Sequence, residues 1–164
     1  MGLQLPGELV TILGMLGYDW PTSDEEELFY LGQLWLEFGP QLEASGAAAL
    51  SSASGVWNSS SGDPIEAFRG WWNHGDSPFT AIQDGSTGAT IAGAGLMVCA
   101  GIVLALKISV IVQLVILAIQ IAQAIATAVA TFGASLLEIP IFKMITSFII
   151  DQLIDMAIQA VLNG

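Results

Sequence analysis

The sequence predicts an all-α protein, an elongated bundle of helical hairpins, and three observations carry that reading. Apolar residues recur three and four apart over long stretches, the spacing that lines one face of a helix. β-branched residues cluster only where that same spacing holds, so nothing reads as an isolated strand. Proline, glycine and capping residues then punctuate the chain at intervals that suit helices.

The first helix is expected from about Pro6 to Leu16, ended by Gly17 and by Pro21, which cannot continue it. The second opens at Ser23-Asp24-Glu25-Glu26, where Ser followed three residues later by Glu reads as a capping box and the acids suit the helix N-terminus. Its apolar residues Leu28, Leu31, Trp35, Phe38 and Leu42 alternate three and four apart, a heptad seam for another helix. Pro40 falls inside that pattern and predicts a kink, and beyond it the seam thins into Ala, Ser and Gly from 44 to 55.

A third helix is announced by Asp63-Pro64-Ile65-Glu66, with Asp as N-cap and Pro at the first helical position. Trp57 stands before that start and Phe68, Trp71 and Trp72 follow it, so 56–72 reads as a helix–loop–helix corner. An aromatic side chain can plug the open end of such a corner, burying on the order of 200 Å². Trp57 and Phe68 are therefore expected to touch across 58–63.

The rear of the chain is far more apolar. A long helix is expected from Ala89 to Thr131, turned at Gly133, with a last helix from about Pro140 to Leu162. As one helix, 89–131 would run roughly 65 Å, about twice the ~30 Å hydrocarbon core of a bilayer. Ser109, Gln113, Gln120, Gln123, Thr127 and Thr131 fall on one of its faces, and Lys143, Ser147, Asp151, Asp155 and Gln159 recur by fours on the last helix. Each rear helix thus has a narrow polar stripe and a broad apolar remainder, and the two are expected to pair antiparallel.

Composition divides the chain at the same place. Apolar residues make up 54%, mean hydropathy is +0.70, and 15 acids against 3 bases give a net charge of −12. Most acids lie in an acidic, Trp-containing front part, 1–76, expected as one helical hairpin; 77–164 is expected as an apolar hairpin packing on it, possible as one continuous domain. So few bases cannot neutralise a phosphate backbone, which excludes nucleic acid, and no polybasic segment offers attraction to anionic lipid.

Catalytic chemistry is absent. His74 is the single histidine, so neither a His-based triad nor a multi-histidine metal site can be built. Asp24 to Glu27 point in different directions around a helix and read as a solvated first turn. No dinucleotide fingerprint or phosphate loop occurs. The lone Cys99, among Ala and Val, reads as a small buried hydrophobe. No enzyme, metal or cofactor is expected. The N-terminus carries no basic segment with an apolar run and cleavage site, so export, if any, is expected by a leaderless route.

The run LPGELVTILGMLGYDWPTSDEEELFYLGQLW resembles the opening of the long Trp-x-Gly-like domains that head large actinobacterial polymorphic toxins. In those domains a Trp-Pro and an acidic capped helix lead to a Trp-x-Gly corner, followed by a helix with Ala-Phe and Trp. Here the corner reads Trp57-Asn58-Ser59, with glycine delayed to Gly62, then Ala67-Phe68 and Trp71. The rear LVILAIQIAQAIATAVATFGASLLEIPIF is similar too, and the likeness covers nearly the whole chain.

The resemblance implies a non-enzymatic trafficking module recognised by a type VII (ESX-like) secretion apparatus, secreted or held at the cell envelope. Trp57, Gly62, Phe68 and Trp71 would form the corner that recognises a partner. It implies a small helical Trp-x-Gly partner, or self-association through the apolar helices. In related toxins an enzymatic domain follows; none fits within these residues. The alternative reading is a membrane-inserting channel or anchor that uses 94–131 and 140–162 as a hydrophobic hairpin, with Gln113, Gln120 and Gln123 lining it.

Overall fold

A computed structural model describes residues 2–163, which form helices and their connections with no strand among them. Five α-helices follow in order: α1 (Gly7–Met15), α2 (Glu25–Ser59), α3 (Asp63–Trp72), α4 (Pro78–Thr127) and α5 (Ile139–Asn163), with a short 3₁₀ turn at Ala134–Glu138. The all-α class expected from spacing is the class observed.

The helices form two compact units. One contains Leu28–Val98; the other joins the residues up to Glu27 with those from Cys99 onward. The units therefore divide at 27/28 and 98/99, whereas charge and hydropathy change at 76/77. The N-terminal segment is grouped with the rear helices by packing, although it shares its acidity with the front.

In the Leu28–Val98 unit, α2 and the first part of α4 lie antiparallel, and their closest approach is made by glycine. Gly32, Gly39, Gly46 and Ala53, seven apart along α2, are all buried. A Cβ on Gly32 would stand 2.9 Å from the Gly93 carbonyl oxygen, and one on Gly93 would stand 2.8 Å from the Gly32 oxygen. Further along, Gly39 faces Ser86 and Thr90, the Ser86 hydroxyl donates to the Gly39 carbonyl at 2.9 Å, and Gly46 faces Ile82. Only hydrogen side chains allow two backbones this near. α2 runs on through Pro40 as one helix.

In the other unit, α1 packs on an antiparallel pair made by residues 99–127 of α4 and by α5. Leu13, Val110, Leu114 and Ile150 form its buried centre, with Leu9, Leu106, Tyr18, Trp20 and Ile154 around it. α4 ends at Thr127, short of the expected Thr131, and the turn that follows closes as Phe132 (φ 50°) and Gly133 (φ 84°) take left-handed conformations and the Gly133 N–H donates back to Ala128 at 2.7 Å.

Several expected boundaries move. α2 begins at Glu25 with Asp24, not Ser23, as its cap: the Asp24 carboxylate accepts the N–H groups of Glu26 (3.0 Å) and Glu27 (3.2 Å). The Ser23 carbonyl is turned instead to Lys107. α3 begins at Asp63 after Gly62, whose φ of 121° carries the chain into the helix, so Asp63 lies inside rather than capping. α4 starts at Pro78, eleven residues before the expected Ala89, because Ile82, Ser86 and Ala89 pack on Gly46 and Gly39 of α2 and hold this stretch helical despite the weak helix formers Gly85 and Gly88.

Candidate functional site

Two surfaces and one buried ion pair distinguish this chain from a plain helical bundle. The first surface lies on α2. Leu28 and Leu42 are half-buried, but Leu31, Trp35 and Phe38 are 39%, 42% and 44% exposed, and Leu34 joins them at 41%. The inward contact belongs to the glycine line, so the large apolar stripe expected as the seam stands beside it, facing outward. Positions 31, 34, 35 and 38 follow the i, i+3, i+4, i+7 rule and form one continuous ridge. Trp35 and Phe38 brace each other edge to face, their rings 6.0 Å apart.

The corner at the other end of this unit is aromatic. Trp57 and Phe68 face each other across the loop with ring centres 5.8 Å apart. Phe68 also meets Trp71 and Trp72, and Trp72 stacks on Phe79 at 6.1 Å, so the cluster ties α2, α3 and the start of α4. Trp57 is half-buried and Trp71 is 53% exposed, so the cluster is a staple with an open side. Beside it a hollow of about 140 Å³ is lined by Trp57, Ser60, Gly62, Ile65, Glu66 and Arg69. Gly62 thus serves twice, as the left-handed hinge and as the floor of that hollow.

In the second unit, the single charge in residues 99–127 of α4 is buried. Lys107 is 1% exposed; its Nζ donates to Glu25 Oε2 and to the Ser23 carbonyl, both at 2.7 Å, and lies 5.8 Å above the Trp20 ring. The other Glu25 oxygen accepts the Leu3 N–H. Burial pushes the Glu25 carboxyl up, but the hydrogen bonds from Lys107 and Leu3 outweigh it and hold the group below its ordinary value. Asp24 is also lowered, chiefly by the Glu27 N–H. Tyr18 donates to Asp151 at 2.6 Å, and that bond raises its phenol pKa. These two links fasten the N-terminal segment to α4 and α5.

The polar stripe of α4 lies at the margin of the packed side. Gln113 and Gln120 are half-buried and Gln123 is exposed, and Ile108, Val112, Val115 and Ile119 are 42–52% exposed. Most of the outer surface of this helix is therefore aliphatic. The grouping of acids, His and Cys offers no metal site among the described residues. His74 is open to solvent with Asp76 at 3.8 Å, and Cys99 is half-buried.

Sequence reasoning missed the glycine line, Leu34, and the pairs Lys107–Glu25 and Tyr18–Asp151. The first had a signal, three glycines spaced by seven within an apolar helix. Lys107 had another, a solitary cation in a long uncharged run, which burial is tolerated for only when a carboxylate meets it.

A model of the WXG100 like domain matches residues 5–148, a span that takes in both surfaces and the ion pair. The chain belongs to the WXG100-like domain family. Membership in the WXG100-like family suggests a secretion-related helical protein, of a kind that is generally non-enzymatic and pairs with helical partners or oligomerises. No curated protein and no solved structure matches the chain.

Proposed function

We propose that this WXG100-like chain is a non-enzymatic trafficking domain exported by a type VII (ESX-like) secretion apparatus, as in polymorphic toxins, and that a helical partner lies along α2 when it is exported. The observation that carries the reading is the outward ridge Leu31–Leu34–Trp35–Phe38. A large apolar stripe at helical spacing, left open beside an interface already closed by glycine, is what a second helix packs against. The half-open aromatic corner at Trp57, Gly62, Phe68 and Trp71 supplies the end of the same surface, in the place where the family resemblance puts its recognition motif.

The test is export itself. The tagged chain is expressed in a cell with a type VII apparatus and in the same cell lacking the motor ATPase, and culture medium is compared. Medium should contain the protein only when the motor is present. A Leu34→Ser/Phe38→Ser variant, shown folded by circular dichroism, should accumulate inside. Motor-independent release, or normal export of the folded variant, would overturn the reading.

A further inference from the structure

The turn end of the α4–α5 hairpin carries a different property. Exposure of apolar side chains peaks there: Phe132 is 99% exposed, Val129 90% and Leu137 75%. Ile119 on α4 and Met144 and Phe148 on α5 continue the bare surface toward the base. The three hydroxyls of the turn region all donate to backbone carbonyls of the chain itself, Ser135 from a buried position and Thr127 and Thr131 from exposed ones. Thr127 donates to the Gln123 carbonyl at 2.9 Å, Thr131 to Thr127 at 3.0 Å, and Ser135 to Ala124 at 2.7 Å. A protein–protein interface normally uses such groups, at about one hydrogen bond per 100–200 Å²; hydrocarbon demands that they be satisfied internally. A helix lying alongside would also cover the flanks and leave Phe132 at the end uncovered, whereas a bilayer covers the end first.

We propose that residues 115–148 form a membrane-insertion tip, which enters one leaflet of an uncharged bilayer surface and stops at the exposed Asp151, to which Tyr18 is bonded. Dimensions favour one leaflet over a full crossing. From Ile139 to Ile150, α5 rises about 18 Å, close to the ~15 Å of half a hydrocarbon core. Next comes Asp151, then Asp155, both exposed, on the helix that a crossing would have to submerge. Tyr18, bonded to Asp151, packs at this level, which places a phenol ring where headgroups would lie. Between Lys107 and Asp151 the only charges are Glu138 and Lys143. Lys143 is half-buried with a long stem that can reach toward the surface. Glu138 opposes entry, so binding is reversible. With a net charge of −12 the chain has no preference for anionic lipid.

The experiment is flotation of the full chain with phosphatidylcholine vesicles, and with vesicles containing equal parts phosphatidylglycerol. Wild type should float with the former at least as well as with the latter. Phe132→Asp should lose at least tenfold in vesicle partition; at φ 50° Asp is a tolerated residue and the site is fully exposed, so folding is undisturbed. Ile91→Asp, an exposed aliphatic of the other unit, should float like wild type, and Glu138→Gln should float more strongly. In a Cys99→Ser background, an environment-sensitive dye on Ala130→Cys should shift to the blue with vesicles and one on Gln152→Cys should not. Failure of wild type to float, equal flotation of Phe132→Asp, or binding only to anionic vesicles overturns the proposal. Release of trapped dye at the same protein concentration would show a spanning pore and overturn the single-leaflet geometry. If Phe132→Asp instead converts a lipid-free oligomer to monomer and no form floats, the tip is covered by a second copy and the proposal fails. None of these outcomes depends on the export apparatus.

Discussion

Adding one methyl group to Gly32 should destabilise the protein, although the same change elsewhere on these helices should stabilise it. In an exposed helix interior, Gly→Ala gains about 0.8–1.0 kcal/mol of helix propensity. Gly95 is such a site, with open space where its Cβ would be. At Gly32 the new Cβ would meet the Gly93 carbonyl oxygen at 2.9 Å and the Met97 backbone nitrogen at 3.3 Å. Both are backbone atoms of the facing helix, so no side-chain rotation relieves the clash. α2 and α4 must separate, and the contacts at Gly39 and Gly46 loosen with them. Overpacking of this kind costs typically 1–3 kcal/mol, and backbone against backbone belongs near the upper end. Subtracting the propensity gain leaves a net loss of about 1–2 kcal/mol for Gly32→Ala, and a gain of about 1 kcal/mol for Gly95→Ala.

The assay is thermal and urea unfolding followed by far-ultraviolet circular dichroism. At about 2–4 °C per kcal/mol for a chain of this size, Gly32→Ala should melt roughly 2–8 °C below wild type and Gly95→Ala a few degrees above it. Gly93→Ala should behave like Gly32→Ala, since its Cβ would stand 2.8 Å from both the Gly32 oxygen and Leu36 Cγ. A Gly32→Ala protein as stable as Gly95→Ala would refute the close glycine crossing and with it the outward placement of the aromatic ridge.

Three further outcomes follow from the same structure. Lys107→Met leaves Glu25 buried without its cation and should cost about 3–5 kcal/mol in urea melts, whereas Lys107→Met with Glu25→Leu should recover most of that loss. Stability should fall in acid: Glu25 and Asp24 have folded pKa values below their ordinary ones, so their contribution is complete at neutral pH, begins to fade near the ordinary carboxylate value of about 4 and is lost as pH drops through the folded values, an effect Glu25→Gln should blunt in acid melts. Trp57→Ala should cost about 1–3 kcal/mol, less than a fully buried aromatic, because the ring is half-buried and its main specific partner is Phe68; an unchanged melt would show that Trp57 contributes nothing to the corner.

The elements were legible in the sequence where local chemistry decides them. Gly17, Pro21, Gly62 and Gly133 stop or turn helices through their own backbone preferences, and Trp57 meets Phe68 because only a short loop separates them. Orientation was not legible. A heptad of Leu, Trp and Phe looks like the inside of an interface, since large apolar residues gain most from burial. A backbone-to-backbone crossing selects the smallest residues instead, and Gly32, Gly39 and Gly46 outrank Trp35 and Phe38 for the inward position. The start of α2 was ambiguous for a related reason. Ser23 and Asp24 both carry a competent capping oxygen, and the choice falls to Asp24 while the Ser23 carbonyl is engaged by Lys107, 84 residues away. The links Tyr18–Asp151 and Lys107–Glu25 are as remote in sequence, and no periodicity reports them.

The glycine line and the outward ridge are two results of one packing choice, and together they constrain the partner proposed for α2. Fully burying a Leu or Phe side chain gains roughly 1.5–3 kcal/mol, but the four ridge residues are already more than half covered. Completing their burial therefore supplies only a few kcal/mol, less than the ~4–15 kcal/mol lost in translational and rotational freedom on association. A single short helix crossing the ridge would not stay bound. A specific interface needs about 800 Å² on each side, some 20–30 residues, and the ridge from Leu31 to Phe38 spans only about two turns. The partner must run on along α2. The next stretch, Ala44 to Gly55, is mostly exposed small residues over which another backbone can approach closely, and it leads to the exposed Val56 and the half-open corner at Trp57. A long helix or hairpin that starts on Trp35 and ends against Trp71 meets both the area and the chemistry.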